Sequence, residues 1–108
     1  MDIEILRDTD TIEMMHDELS ICIGGKEYRC TISAIEKISI LTTDKGPAED
    51  DAALSVAVDN HFFVLPSEHY LYEKFLFDGL AVKIPIDFQK IIDAAACTEN
   101  AEFVLYSK

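Results

Sequence analysis

Residues 52–65 read Ala-Ala-Leu-Ser-Val-Ala-Val-Asp-Asn-His-Phe-Phe-Val-Leu, and this stretch decides the fold. Two apolar runs flank Asp59-Asn60, and both of these residues tolerate the left-handed backbone conformation that a two-residue hairpin turn requires. The stretch therefore predicts an antiparallel hairpin in which Ala52–Val58 pairs with residues 61–65.

Both faces of this hairpin are largely apolar. Strands that are apolar on both sides are typical of a sheet whose two faces are covered. We therefore expect this hairpin to lie at the centre of the sheet, with helices or another subunit over its second face. The first face consists of Leu54, Val56, Val58, His61, Phe63 and Leu65, and the second of Ala53, Ser55, Ala57, Phe62 and Val64.

A second hairpin is predicted upstream, where Gly24-Gly25 separates two alternating runs. Glycine adopts positive φ without steric cost, as both central positions of such a turn demand. Pairing outward from the turn makes one face apolar and the other polar, which is typical of a half-buried antiparallel pair. The predicted pairs are Ile23 with Lys26, Ile21 with Tyr28, Ser20 with Arg29, and Leu19 with Cys30.

Further strands are predicted around the hairpins. Within residues 2–18, isoleucine and methionine alternate with polar residues, which favours one or two short strands; a helix over residues 11–18 is the competing interpretation. We also expect strands over residues 37–42 and 102–106, and an exposed acidic loop over residues 44–51.

Two helices are predicted in the second half of the chain, over residues 67–78 and 87–97. Ser67 and Asp87 suit the N-cap positions because their side-chain oxygens can accept unpaired backbone N–H groups. Gly79 is expected to end the first helix, and an extended link follows it. The predicted inner faces are Leu71 and Phe75 in the first helix and Phe88, Ile91, Ile92 and Ala95 in the second.

The order of these elements indicates the fold class. Strands come first and helices follow, which favours an α+β fold with a mainly antiparallel sheet of about five or six strands. Both helices are expected to pack on one face of that sheet. A length of 108 residues suits a single domain over residues 1–108.

Charge limits the classes of partner. The chain has 21 Asp and Glu against 9 Lys and Arg, yet it is 49% hydrophobic, which indicates a folded acidic protein. Its basic residues are scattered and build no patch for nucleic acid or for an anionic membrane. The acidic start Met1-Asp2-Ile3-Glu4 and the lack of a long apolar run favour a cytoplasmic location.

No chemical motif emerges from the titratable residues. Cys22 and Cys30 fall on opposite faces of their hairpin, and Cys97 is expected at a helix end, so we predict reduced thiols. The spacing of the histidines matches no metal-binding pattern, and the neighbouring acids lack the spacing of a calcium loop. We therefore predict no catalytic residue, no cofactor and no metal ligand.

The aromatic stretch over residues 69–77 is the best candidate surface, because one helix face can bury only part of it. Exposed aromatic residues beside charges are typical of protein interfaces. Packing of Tyr70 and Phe77 under a loop is the alternative. The candidate interaction surface consists of His69, Tyr70, Tyr72, Lys74 and Phe77.

The sequence thus favours a small acidic protein-interaction module, with a basic protein or a second copy of the chain as its partner. Within that class, its charge suits an inhibitor or immunity-type protein that neutralises a basic enzyme. A homodimer is expected to use the helix over residues 67–78. A divalent-cation binder that uses the acidic loops is a weaker interpretation. The main alternative is a small-ligand binder or enzyme with a pocket at the sheet–helix boundary, drawing on His61, His69, Tyr70, Tyr72 and Cys97.

Overall fold

The computed structural model describes residues 2–42, 52–96 and 99–108, and in these residues eight strands form two sheets. This confirms the predicted α+β class. The strands are β1 (Asp2–Ile5), β2 (Thr11–Met15), β3 (Glu18–Ile23), β4 (Lys26–Thr31), β5 (Ile35–Thr42), β6 (Ala52–Val58), β7 (His61–Pro66) and β8 (Ala101–Ser107). Helix α1 joins a π-helical segment, Lys74–Leu80, to an α-helical turn, Ala81–Lys83, and helix α2 covers Phe88–Ala96.

The larger sheet has the strand order β1-β7-β6-β5-β8. Strand β1 runs parallel to β7, and the other neighbours are antiparallel. The hairpin predicted from residues 52–65 lies at the centre of this sheet, with Val58 opposite His61 as expected. Its turn residues Asp59 and Asn60 have φ values of 47° and 65°, so both adopt the left-handed conformation.

The smaller sheet has the order β2-β3-β4 and contains the hairpin predicted around Gly24-Gly25, in the predicted register. The larger sheet, with five strands, matches the predicted sheet of about five or six strands, and this hairpin belongs to a second sheet beside it. The apolar face of the hairpin packs across the larger sheet, and the ring centroids of Tyr28 and Phe63 lie 5.1 Å apart. Residues 2–18 supply two strands, so the competing helix over residues 11–18 is wrong.

Helix α1 begins and ends later than predicted. Residues 67–71 form turns, in which the backbone N–H of Leu71 bonds to Nδ1 of His69 at 3.1 Å. Gly79 does not end the helix, and the link predicted to be extended is helical as far as Lys83. Gly79 is instead buried against β2, where an added Cβ would lie 3.3 Å from Cβ of Met14. Its missing side chain thus lets the helix approach the strand closely.

Helix α2 begins as predicted but buries a different face. The Asp87 carboxylate accepts the backbone N–H of Gln89 at 3.1 Å, which confirms the N-cap. Only Ala94 is fully buried among the described residues of the helix, whereas Phe88 and Ile92 are 52% and 62% exposed. The helix packs on β5 and β8 through the side that carries Ala94, so the predicted inner stripe lies mostly at the surface.

One hydrophobic core lies between the larger sheet on one side and the smaller sheet with both helices on the other. Every layer contributes to it, for example through Ile21, Val56, Leu80 and Leu105. The predicted acidic loop over residues 44–51 and Cys97 lie outside the described residues. In the described part of the chain, no helix combines the length and apolar character needed to cross a membrane.

Candidate interaction surfaces

The larger sheet has a second face that points away from the core. We call it the open sheet face, because no described residue of the chain packs over it. Ile3 and Ile5 are 67% and 61% exposed, although both are large and apolar. None of the apolar residues of this face belongs to the core cluster of described residues. By strand register they are Ile3, Ile5, Leu41, Ala53, Ala57, Phe62, Val64 and Val104.

The open sheet face has a ridge and a floor. On β1 and β7 the side chains are bulky, with Ile3 beside Phe62 and Ile5 beside Val64. Across β6 and β5 four side chains of this face are short; three of them are buried between their neighbours and Ala53 is half-buried. These floor residues are Ser39, Ala53, Ser55 and Ala57.

An ion pair lies beside the floor residues, between β5 and β8. The ammonium of Lys37 is 2.9 Å from the carboxylate of Glu102, and the hydroxyl of Ser39 donates to the same carboxylate at 2.9 Å. The hydrogen bonds from Lys37 and from Ser39 lower the pKa of Glu102 below its usual value. Lys37 and Glu102 thus neutralise each other, and this part of the face carries no net charge.

A second apolar surface lies between the two helices, in what we call the helix groove. Its volume is about 290 Å³, and it opens beside the exposed ring of Phe77. Phe88 and Ile92 lie on the same stripe of α2 as Ala95, at i, i+4 and i+7, and extend the apolar surface beyond the groove. The groove is lined by Ile40, Ala52, Ser67, Tyr72, Leu76, Phe77, Ile91, Ala94 and Ala95.

Three of the five residues of the predicted interaction surface come together. Tyr70, Lys74 and Phe77 lie side by side at the surface of α1 and the turn before it, next to Glu73 and Asp78. The expectation that Tyr70 and Phe77 pack under a loop does not hold within the described residues, because both rings are exposed. Tyr72 lies apart from these three, because it is half-buried in the helix groove.

His69 does not lie on the predicted surface, since it is only 4% exposed. Its Nε2 is 3.0 Å from the carbonyl oxygens of both Arg7 and Asp10. Nδ1 accepts the N–H of Leu71, so the ring proton resides on Nε2, which donates to the two carbonyls. Three hydrogen bonds therefore hold this ring inside the fold.

The contacts of His69 with Arg7 and Asp10 form a junction, and the Asp10 carboxylate completes it. Asp10 was not singled out from the sequence. Its carboxylate accepts the backbone N–H of Arg7 at 2.8 Å and that of Gly24 at 3.0 Å. These two hydrogen bonds hold the pKa of Asp10 below its usual value. Asp10 thereby ties the turn after β1 to the β3–β4 turn, and its carbonyl ties both to His69. Nothing in the sequence distinguishes it from exposed Asp8.

The four described residues of the proposed ligand pocket do not converge. His61 lies in a separate cleft with Tyr28, whose hydroxyl donates to Asp59 at 3.0 Å; burial and that bond raise the pKa of Tyr28 to about 12. Tyr72 lies in the helix groove and Tyr70 on the helix surface. Of the Cys, His, Asp and Glu side chains that the structure describes, no three are grouped closely enough to hold a metal ion.

Comparisons of the chain with protein family models, with curated proteins and with solved structures find no match. What the chain does therefore has to be inferred from its own surfaces. Two of these surfaces, the open sheet face and the helix groove, present apolar side chains that the described fold does not bury.

Proposed function

We propose that this chain is a non-enzymatic protein-interaction module of the cytoplasm that binds a basic protein through the helix groove. The observation that carries the proposal is the exposed apolar surface of α1 and α2. Phe77, Phe88 and Ile92 are all exposed on the helices around the groove, where the fold could have buried them. Exposed apolar patches of this kind mark interaction sites on proteins.

The surroundings of the helix groove suit apolar side chains of a partner. Its volume of about 290 Å³ is close to that of a small-molecule pocket, so volume does not separate the two kinds of occupant. Its lining is apolar except for Ser67 and Tyr72, and the exposed side chains of Phe88 and Ile92 continue the apolar surface along α2 beyond the groove. Grooves between helices commonly receive the apolar face of a partner helix, whose anchoring side chains fill them.

Charge supports a basic partner. The formal net charge of the chain is −12, so a basic protein would be attracted at long range. Around the groove the exposed acids Glu73, Asp78 and Asp93 are matched in number by Lys74, Lys83 and Lys90, so this attraction comes from the whole chain. An inhibitor or immunity-type protein that neutralises a basic enzyme is the specific role we propose within this class.

The alternative, a small-ligand binder or enzyme at the sheet–helix boundary, has less support. Of its four candidate residues that the structure describes, only Tyr72 lines the cavity at that boundary. His69 is hydrogen-bonded inside the fold, and Cys97 lies outside the described residues.

Affinity capture tests the proposed function. The purified chain is immobilised and exposed to a lysate of the cells that produce it, and each retained protein is identified by mass spectrometry. A retained partner is then purified, and its dissociation constant is measured at low and high salt. We expect a basic protein whose affinity falls as salt screens the opposite charges.

Two variants locate the binding site. Phe77→Ser and Ile92→Ser remove exposed apolar groups without changing the charge, and each should weaken binding by about tenfold or more if it removes an anchor. Val82→Ser is the matched control, because Val82 is 69% exposed on α1 and does not line the groove. An acidic partner, equal binding by all three variants, or no specifically retained protein would contradict the proposal.

A further inference from the structure

We infer that the open sheet face is the interface of a homodimer, in which two copies of the chain pack their larger sheets face to face. This interface is separate from the helix groove, so the dimer and the proposed binding of a basic partner are compatible. It also differs from the homodimer expected through residues 67–78, because it uses the opposite side of the molecule.

The exposed apolar residues set the scale of the interface. Four overlapping strands at about 4.8 Å spacing and five to six residues at about 3.3 Å give a contact of roughly 19 by 18 Å. This is on the order of 350 Å² on each copy, within the size range of the largest patches on proteins, which are often functional. Counted over both copies it is smaller than a standard stable interface, so we expect a weak, reversible dimer with a dissociation constant on the order of micromolar or higher.

The relief of the face is self-complementary. A two-fold axis that runs parallel to the strands, between β7 and β6, superposes β1 of one copy on β5 of the other and β7 on β6. Residues at the same level of the sheet then face each other, so Phe62 lies over Ala57, Val64 over Ser55 and Ile5 over Ser39 of the other copy. Ile3 lies over Lys37. Each copy presents the same patch and receives the same patch, as a two-fold interface requires. Sheets packed in this aligned way are common.

Charge on the face favours a second copy over a basic partner. Lys37 lies beside Ala57 in this face and pairs with Glu102, so the contact area offers a cation no uncompensated acid. The two chains nevertheless repel each other at long range, because each has a formal net charge of −12. Salt screens that repulsion and leaves the apolar contact, so dimerisation should strengthen as salt rises. Binding of a basic partner changes in the opposite direction.

Sedimentation velocity over a range of concentrations, at about 0.05 M and about 0.5 M NaCl, tests the inference. We expect a monomer–dimer equilibrium that shifts toward dimer at the higher salt. Ile5→Lys places an ammonium on the ridge and should weaken dimerisation by at least about tenfold, although it lowers the net negative charge. The matched control Val82→Lys makes the same charge change on exposed α1 and should dimerise at least as well as the wild type.

A third variant tests the fit of ridge and floor. Ala57→Leu adds apolar area to the floor and so would strengthen a non-specific hydrophobic contact. If the ridge of the second copy occupies that floor, the added bulk should weaken the dimer by several-fold or more. Thermal unfolding of each variant confirms that it is folded.

Several outcomes would overturn the inference. These are a monomer at every concentration and salt, a dimer that weakens as salt rises, and a dimer that withstands both Ile5→Lys and Ala57→Leu. A dimer disrupted only by Phe77→Ser would place self-association on α1 instead. Each of these results concerns self-association alone, so the capture experiment on the helix groove stands or fails separately.

Discussion

Replacing Asp10 should destabilise the fold far more than replacing any exposed acid. In Asp10→Ala, the backbone N–H groups of Arg7 and Gly24 lose a charged acceptor. Hydrogen bonds to charged groups contribute about 1.5–3 kcal/mol each. Because Arg7 and Gly24 lie near the surface and water can replace part of the bond, the lower end applies, and we expect a loss of about 3 kcal/mol. For a domain of this size the melting temperature should fall by about 12 °C.

Urea unfolding at neutral pH measures this loss, and Asp8→Ala is the matched control because Asp8 is exposed. Asp10→Asn keeps one acceptor oxygen and should lose less than Asp10→Ala. The pH dependence follows from the lowered pKa of Asp10. Its stabilisation is complete above the unfolded-state pKa of about 3.9 and is lost as pH falls through the lower folded-state pKa. If Asp10→Ala unfolds within about 0.5 kcal/mol of Asp8→Ala, the junction does not stabilise the fold as argued.

Two further predictions concern the hairpins. Gly25→Ala should lower the free energy of unfolding, measured in urea, by about 1–2 kcal/mol. Gly25 has a φ of 85° and an added Cβ meets nothing within 4 Å, so the loss comes from backbone strain alone. Gly24→Asn should leave stability nearly unchanged, because asparagine tolerates the left-handed region; equal effects of the two variants would contradict this. One tyrosine should titrate near pH 12 in ultraviolet absorbance, and Tyr28→Phe should remove that component. Because the folded pKa is the higher one, the contribution of Tyr28 to stability should fall as pH rises from about 10 to about 12.

The hairpins were predictable because their signals are local. Gly24-Gly25 and Asp59-Asn60 fix both the turn and the register, and the alternation on either side then determines which residues share a face. The N-cap at Asp87 was predictable for the same reason, since the side chain and the N–H groups it accepts are three residues apart or fewer.

The first helix was harder to predict because distant contacts decide it. Both ring nitrogens of His69 form hydrogen bonds, and these bonds fix the turn over residues 67–71. Two of the partners, the carbonyl groups of Arg7 and Asp10, lie in the turn after β1. Gly79 has the sequence signature of a helix end, but a strand some sixty residues earlier in the chain presses against it and keeps it inside the helix. No pattern near residue 79 carries that information.

The sequence predicted that apolar surfaces would need a cover, but it predicted their positions only in part. Two apolar faces on one hairpin indicated that something beyond one layer must cover the larger sheet, and the structure leaves one of those faces uncovered by described residues. The stripe of Phe88 and Ile92 has core-like spacing, yet it lies at the surface because α2 docks through the side that carries Ala94. Spacing identifies an apolar stripe, but the direction in which a helix docks depends on its neighbours.

The pairing of β1 with β7 also has a consequence for synthesis. Ile3 emerges from the ribosome before its neighbour Phe62, which is made only after strands β2–β6. Contacts so distant in sequence form late, because the entropy cost of closing a long loop comes before the contacts contribute any stabilisation. We therefore expect a nascent chain to carry Ile3 and Ile5 without a strand beside them, and to acquire the bulky half of the sheet face only when the central hairpin exists. Unfinished chains would then lack the surface through which finished ones recognise each other.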